Sequence, residues 1–161
     1  MRTTRTIVVL AMLIPRAGQA QEFSPRCFLT GSGAVEADGG TETFAGNASS
    51  RKDHTIKGAW THTTADGRTL QGQVDLLLCR RDGGDPGHPA VDFSIADFSG
   101  TGTFAGEPVT FGGRAQDRGE PGNDDAYHFV IEDMAGDFIH ATRGILAAGN
   151  IQIHPPNNGH P

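Results

Sequence analysis

Apolar residues recur at every second position through most of this chain, the period of a β-strand with one buried face. The clearest case is 70–79, where Leu70, Gly72, Val74, Leu76 and Leu78 fall on one side and Gln71, Gln73, Asp75, Leu77 and Cys79 on the other. Val109, Phe111, Gly113, Ala115 and Asp117 alternate in the same way, as do Asp125, Tyr127, Phe129 and Ile131. These two runs are predicted to pair antiparallel across the polar stretch 117–125. Further strands are expected at 27–35, at 41–49 with Phe44 inward, at 54–63 with Trp60 and His62 on one face, and around Val91, Phe93 and Ile95. Phe138 to Ala147 and Gly149 to His154 supply the last strand or two.

Turn residues punctuate these runs. Asp38-Gly39-Gly40 and Asp66-Gly67 suit the primed turns of tight hairpins, and Arg51-Lys52-Asp53 makes a reversal between them. Pro121-Gly122 reads as the two central positions of a type II turn. Residues 80–89, dense in Gly, Pro and Asp, read as a loop. No segment has the helical period needed for parallel crossovers. The expected fold class is therefore all-β, an antiparallel meander of about eight to ten short strands closing into a small barrel, with a two-sheet sandwich as the alternative.

The N-terminus departs from this pattern. A basic leader with Arg2 and Arg5 precedes an apolar run, Ile7 to Ile14, too short to span a bilayer, and Gly18 and Ala20 suit a signal peptidase. Residues 1–20 thus read as a secretory signal peptide, 21–26 as a flexible lead-in, 27–154 as a single β-domain and 155–161 as a disordered tail. The expected location is exported, periplasmic or secreted, with no membrane span in the mature chain. Removing the leader takes away Arg2, Arg5 and Arg16 and moves the formal charge from −6 to −9. So acidic a chain argues against nucleic acid and anionic membranes as partners. In an oxidising compartment the two cysteines, Cys27 and Cys79, are expected to form one disulfide.

The stretch Asp117-Arg118-Gly119-Glu120-Pro121-Gly122, then Asp125, Tyr127, Phe129 and Ile131, then Gly149-Asn150-Ile151-Gln152-Ile153-His154, resembles the C-terminal half of the post-COAP family of small secreted bacterial β-domains. Thr43 to Ala48 and Gly58-Ala59-Trp60 resemble that family's early strands, so the likeness covers roughly Gly31 to His154. Tyr127 stands where phenylalanine is usual and Ala148 where glycine is usual. The resemblance implies an all-β exported module and brings no reaction with it.

Asp117, Glu120, Asn123, Asp124 and Asp125 place five oxygen-bearing side chains within nine residues, which makes calcium the alternative cofactor. The plainer reading needs no cofactor: Asp117 or Asp125 accepts hydrogen bonds from loop N–H groups. The seven histidines show no His-x-His or His-x-x-x-His pair, and His62 reads as a satisfied strand histidine. Asp75, Asp92, Glu107 and Glu132 are the acids from which a glycosidase pair would have to be built, with nothing in their spacing to favour it. A barrel mouth near Trp60, Tyr127 and Phe129 is the candidate small-ligand site. No nucleophile elbow, zincin helix or phosphate loop is present. The functional expectation is an exported, non-enzymatic domain with a structural or binding role at the cell envelope or outside the cell. Its partner would be an envelope or extracellular protein or a small ligand. The alternative is a small-ligand carrier or enzyme using a pocket near Trp60.

Overall fold

A computed structural model describes residues 26–80 and 93–154. The leader, the lead-in before Arg26, most of the 80–89 loop, Val91, Asp92 and the tail lie outside the described residues. Eight antiparallel strands follow one another around a closed barrel: β1 (Phe28–Ala37), β2 (Gly40–Ser50), β3 (Ile56–Thr63), β4 (Thr69–Arg80), β5 (Ile95–Phe104), β6 (Glu107–Gln116), β7 (Ala126–Asp133) and β8 (Phe138–His154). β8 pairs with β1 along Phe28↔His154 to Val35↔Leu146, which closes the sheet and removes its edges. Among the described residues there is no helix, and so none long and apolar enough to cross a membrane.

The expected hairpin at 117–125 is present. β6 and β7 pair from Val109↔Asp133 to Gln116↔Ala126. Its turn differs from the type II expectation. The Gly122 N–H donates to the Gly119 carbonyl (2.9 Å) across a cis Glu120–Pro121 peptide, so Pro121 holds the third position of a type VI turn. The strand expected around Val91 and Phe93 begins instead at Ile95.

Strict alternation also fails in β4. Leu70 and Val74 are buried, but so are Leu77 and Cys79, while Leu76 and Leu78 are exposed. The register with β5 steps from Val74↔Gly100 to Leu76↔Ser99, leaving Asp75 as an extra residue. Such a bulge moves everything beyond it to the opposite face. A second bulge sets the face of β8. Its register steps from Ala34↔Ala148 to Val35↔Leu146, so Thr142 and Leu146 point inward on one side of it and Ile151 and Ile153 on the other. What reads in sequence as one strand or two is a single bent strand of 17 residues.

The interior is filled with rings. Phe44 stacks on Tyr127 at 4.0 Å, Trp60 lies against Phe98 at 4.4 Å, and His62 stacks on Phe129 at 4.7 Å. Gly46 faces Trp60 across the β2–β3 pair, and a β-carbon there would run into the indole. Gly149 at the β8 bulge has φ 102° and lies against the Ser32 carbonyl, a conformation and a clearance that only glycine provides. Cys27 and Cys79 form the expected disulfide, joining residues just before β1 and at the end of β4.

Candidate functional site

In an up-and-down barrel, alternate connections share an end. The β1–β2, β3–β4, β5–β6 and β7–β8 hairpins close one mouth, while the 117–125 loop and the disulfide lie at the other. At the hairpin mouth a cavity of about 310 Å³ is lined by residues including Ala37, Asp38, Glu42, Thr64, Ala65, Asp66, Arg68 and His140. Glu42 and His140 connect it to the core. Trp60, Tyr127 and Phe129, expected to line a ligand pocket, do not border this cavity; they are buried and pack the barrel below it, and Tyr127 borders a separate cavity of about 350 Å³ with Arg114, Gln116 and Arg143.

Below that mouth three polar side chains meet inside the barrel. Glu42, on the inward face of β2 with Phe44, is 3% exposed, and His62 on β3 is completely buried. His62 Nε2 lies 3.0 Å from Glu42 Oε2, and His140 Nε2, from β8, lies 3.1 Å from the same oxygen. On the other side of the His62 ring, Nδ1 is 3.5 Å from the Tyr127 hydroxyl, which also accepts a 2.9 Å bond from Trp60 Nε1–H. An indole N–H only donates, so the tyrosine keeps its own proton for His62 Nδ1. Burial holds the phenol pKa well above its ordinary value of 10.0, so that proton stays in place. His62 then carries its hydrogen on Nε2 and donates it to Glu42.

The electrostatics follow from burial and mutual contact. Burial pushes the Glu42 carboxyl upward, but the hydrogen bonds and charges of His140 and His62 together outweigh it and leave the group below its ordinary 4.5. Burial lowers His62 below 6.5, more than the Glu42 carboxylate raises it. With its folded pKa depressed, His62 contributes stability above about pH 6.5, where both states are neutral, and loses it as the pH falls towards the folded value. Glu42 adds a loss in the same direction at lower pH. Thermal melts taken from about pH 7 to about pH 5 are therefore expected to show a falling Tm, and His62→Gln to flatten that slope. An equal slope in both proteins would show that other groups carry it.

The acidic loop has a different geometry. Asp117 accepts the N–H groups of Gly119 and Ile153, both at 3.0 Å, through its two oxygens. Asp125, also fully buried, accepts those of Arg118 and Ile151, both at 2.8 Å. Burial raises the Asp125 carboxyl against the lowering pull of these two donors. Glu120 Oε1 takes the side-chain amides of Asn150 (3.0 Å) and Gln152 (2.9 Å). Asn123 and Asp124 are exposed. Asp117 and Asp125 each accept one loop N–H, as expected from turn chemistry, and each also takes one N–H of β8, which ties the turn to that strand. Among the described residues, the group that presents three metal-capable side chains with ligand atoms within 4.8 Å of one another is Glu42, His62 and His140.

Two members of that group went unmarked by sequence reasoning. Glu42 carried a usable signal: it lies two residues before the inward Phe44 in the same strand, so alternation places an acid on the core face, where it needs a partner. His140 carried none, because it sits next to a register shift opposite Ile131 and Glu132. Of the remaining acids, Asp75, Glu107 and Glu132 are exposed, and Asp92 lies outside the described residues. Compared with family models, curated proteins and solved structures, the chain matches none.

Proposed function

We propose that this chain is an exported, non-enzymatic β-barrel domain that acts by binding, and that it binds at the hairpin mouth above Glu42 and His140. The observation that carries this reading is the coincidence of a cavity of about 310 Å³ with a buried polar cluster at its base. Ligand sites are concave and place a few convergent polar groups among apolar walls. The ring-filled interior favours a site at the mouth over a chamber deep in the barrel. Export is supported by the leader-like first twenty residues and by the disulfide, which persists in oxidising compartments. The resemblance to post-COAP domains, which brings no reaction with it, supports the same picture of a small secreted module.

The ligand class is open to a direct measurement. Amide chemical shifts of the purified chain, followed during titration with divalent cations, small polyols, amines and carboxylates, are expected to move at Ala37 to Glu42, Thr64 to Arg68, His140 and Ala141. Calcium is the informative control. Shifts confined to 117–125 on adding Ca²⁺ would transfer the binding end to the opposite mouth, and a panel that moves nothing at the hairpin end would defeat the reading.

A further inference from the structure

We propose that Glu42, His62 and His140 together bind one divalent transition-metal ion of the zinc class, with a fourth coordination position facing the mouth cavity. This deepens the binding function proposed above and rests on it. Two imidazoles and one carboxylate are a donor set that suits a borderline cation such as Zn²⁺, and three protein ligands with one open position is the pattern of an accessible zinc site. Calcium and magnesium prefer oxygen donors throughout.

The distances fit. Ligands on a tetrahedral ion with arms of about 2.0–2.1 Å stand about 3.3 Å apart. The two imidazole nitrogens lie 3.0 and 3.1 Å from the Glu42 oxygen, and all three ligand atoms fall within 4.8 Å of one another. Seating the ion widens the two nitrogen–oxygen separations by a few tenths of an ångström and draws the two imidazole nitrogens, within 4.8 Å of each other, to about 3.3 Å apart. The elements that carry the ligands are also rigid: β2 and β3 are paired neighbours, and β8 is fixed against both β7 and β1.

The surroundings support the same assignment. A metal-bound imidazole uses one nitrogen for the ion and donates the other N–H to a fixed acceptor. The Tyr127 hydroxyl, 3.5 Å from His62 Nδ1 and already accepting from Trp60, becomes that acceptor by turning its own O–H away from the ring. On metal binding the His62 proton passes from Nε2 to Nδ1, and the lone pair it leaves faces the ion. No net proton is gained or lost at that ring. Two residues beyond His140, on the same inward face, Thr142 holds a buried hydroxyl that lacks a hydrogen-bond partner. Stability alone does not account for the cluster either, because replacing a buried ionic group by well-packed apolar side chains is often neutral or stabilising.

The experiment is titration of the purified, chelator-treated chain with Zn²⁺ by calorimetry and with Co²⁺ by visible absorption. One ion per chain and the d–d bands of a tetrahedral nitrogen and oxygen site are expected. His140→Ala, at the rim of the barrel, leaves the Glu42–His62 bond intact and is expected to weaken Zn²⁺ by more than about 100-fold, beyond the upper end of what a second-sphere partner costs. Glu42→Gln is expected to do the same, with circular dichroism confirming that each variant is folded. Absence of saturable binding overturns the proposal, as does binding that survives in both folded variants, which would assign it to histidines elsewhere such as His154. Failure of Zn²⁺ and Co²⁺ while uncharged ligands still shift the mouth amides would remove the metal and leave the binding function standing. Silence of the mouth towards every ligand would remove both.

Discussion

Trp60→Ala is expected to cost the barrel about 3–5 kcal/mol, the usual loss for truncating a fully buried aromatic residue. That is a large share of the roughly 5–15 kcal/mol by which domains of this kind are stable. The indole is 1% exposed and lies against Phe98, Phe44 and Tyr127, so alanine leaves a cavity that the surrounding strands cannot close without breaking register. Two effects are mixed in that figure, and Trp60→Phe separates them. Phenylalanine restores much of the volume but still removes the Nε1–H that the Tyr127 hydroxyl accepts at 2.9 Å. A loss of about 1–3 kcal/mol is expected from that bond alone. Urea unfolding followed by far-ultraviolet circular dichroism measures both. A Trp60→Ala cost below about 1 kcal/mol would mean that the interior is far less tightly packed than the ring contacts indicate.

Removal of the disulfide ranks beside it. Cys27 and Cys79 are 52 residues apart, and closing a loop of that length is worth about 4 kcal/mol on the chain-entropy model. Both sulfur sites are buried, so Cys27→Ala with Cys79→Ala is the fair replacement; serine would bury hydroxyls as well. The loss is expected in the urea midpoint together with a larger m value, because the uncrosslinked unfolded chain exposes more surface. A much smaller change would show that the unfolded chain holds β1 near β4 without the bond. The bridge lies at the end of the barrel opposite Glu42 and His140. Folded double mutant is therefore expected to keep whatever binding the mouth supports.

Much of the architecture is legible from local pattern. Alternation in 109–117 and 125–131 identifies β6 and β7 and their pairing, and Asp-Gly and Gly-Gly pairs locate two of the hairpins that close the mouth. Leu76, Leu77 and Leu78 are equally apolar, so nothing in that run reveals which of them faces inward once Asp75 bulges from β4. The turn at Pro121 stands one position from the type II expectation, because a proline there is compatible with two turn types and the choice falls to Gly119 and Gly122 bonding across it. The acidic loop shows what composition leaves open. Five oxygen-bearing side chains are compatible with a cation or with turn chemistry, and it takes the fold to bring both oxygens of Asp117 and Asp125, and Glu120 Oε1, against N–H groups of the turn and of β8, a strand some thirty residues further on.

Local pattern suffices to specify paired, alternating strands joined by tight turns, since side-chain period and turn chemistry act over a few residues. Composition does the same for the disulfide, given two cysteines and a leader-like start. Closure into a small barrel was expected from the meander and is what the sheet does, but the register of that closure, which sets β8 against β1 so that His140 reaches Glu42 across 98 residues of chain, is a property of the assembled fold. A strand's own pattern says which of its faces is apolar, whereas which residues share the space inside a barrel depends on the order of all eight strands and on the bulges that turn β4 and β8 over.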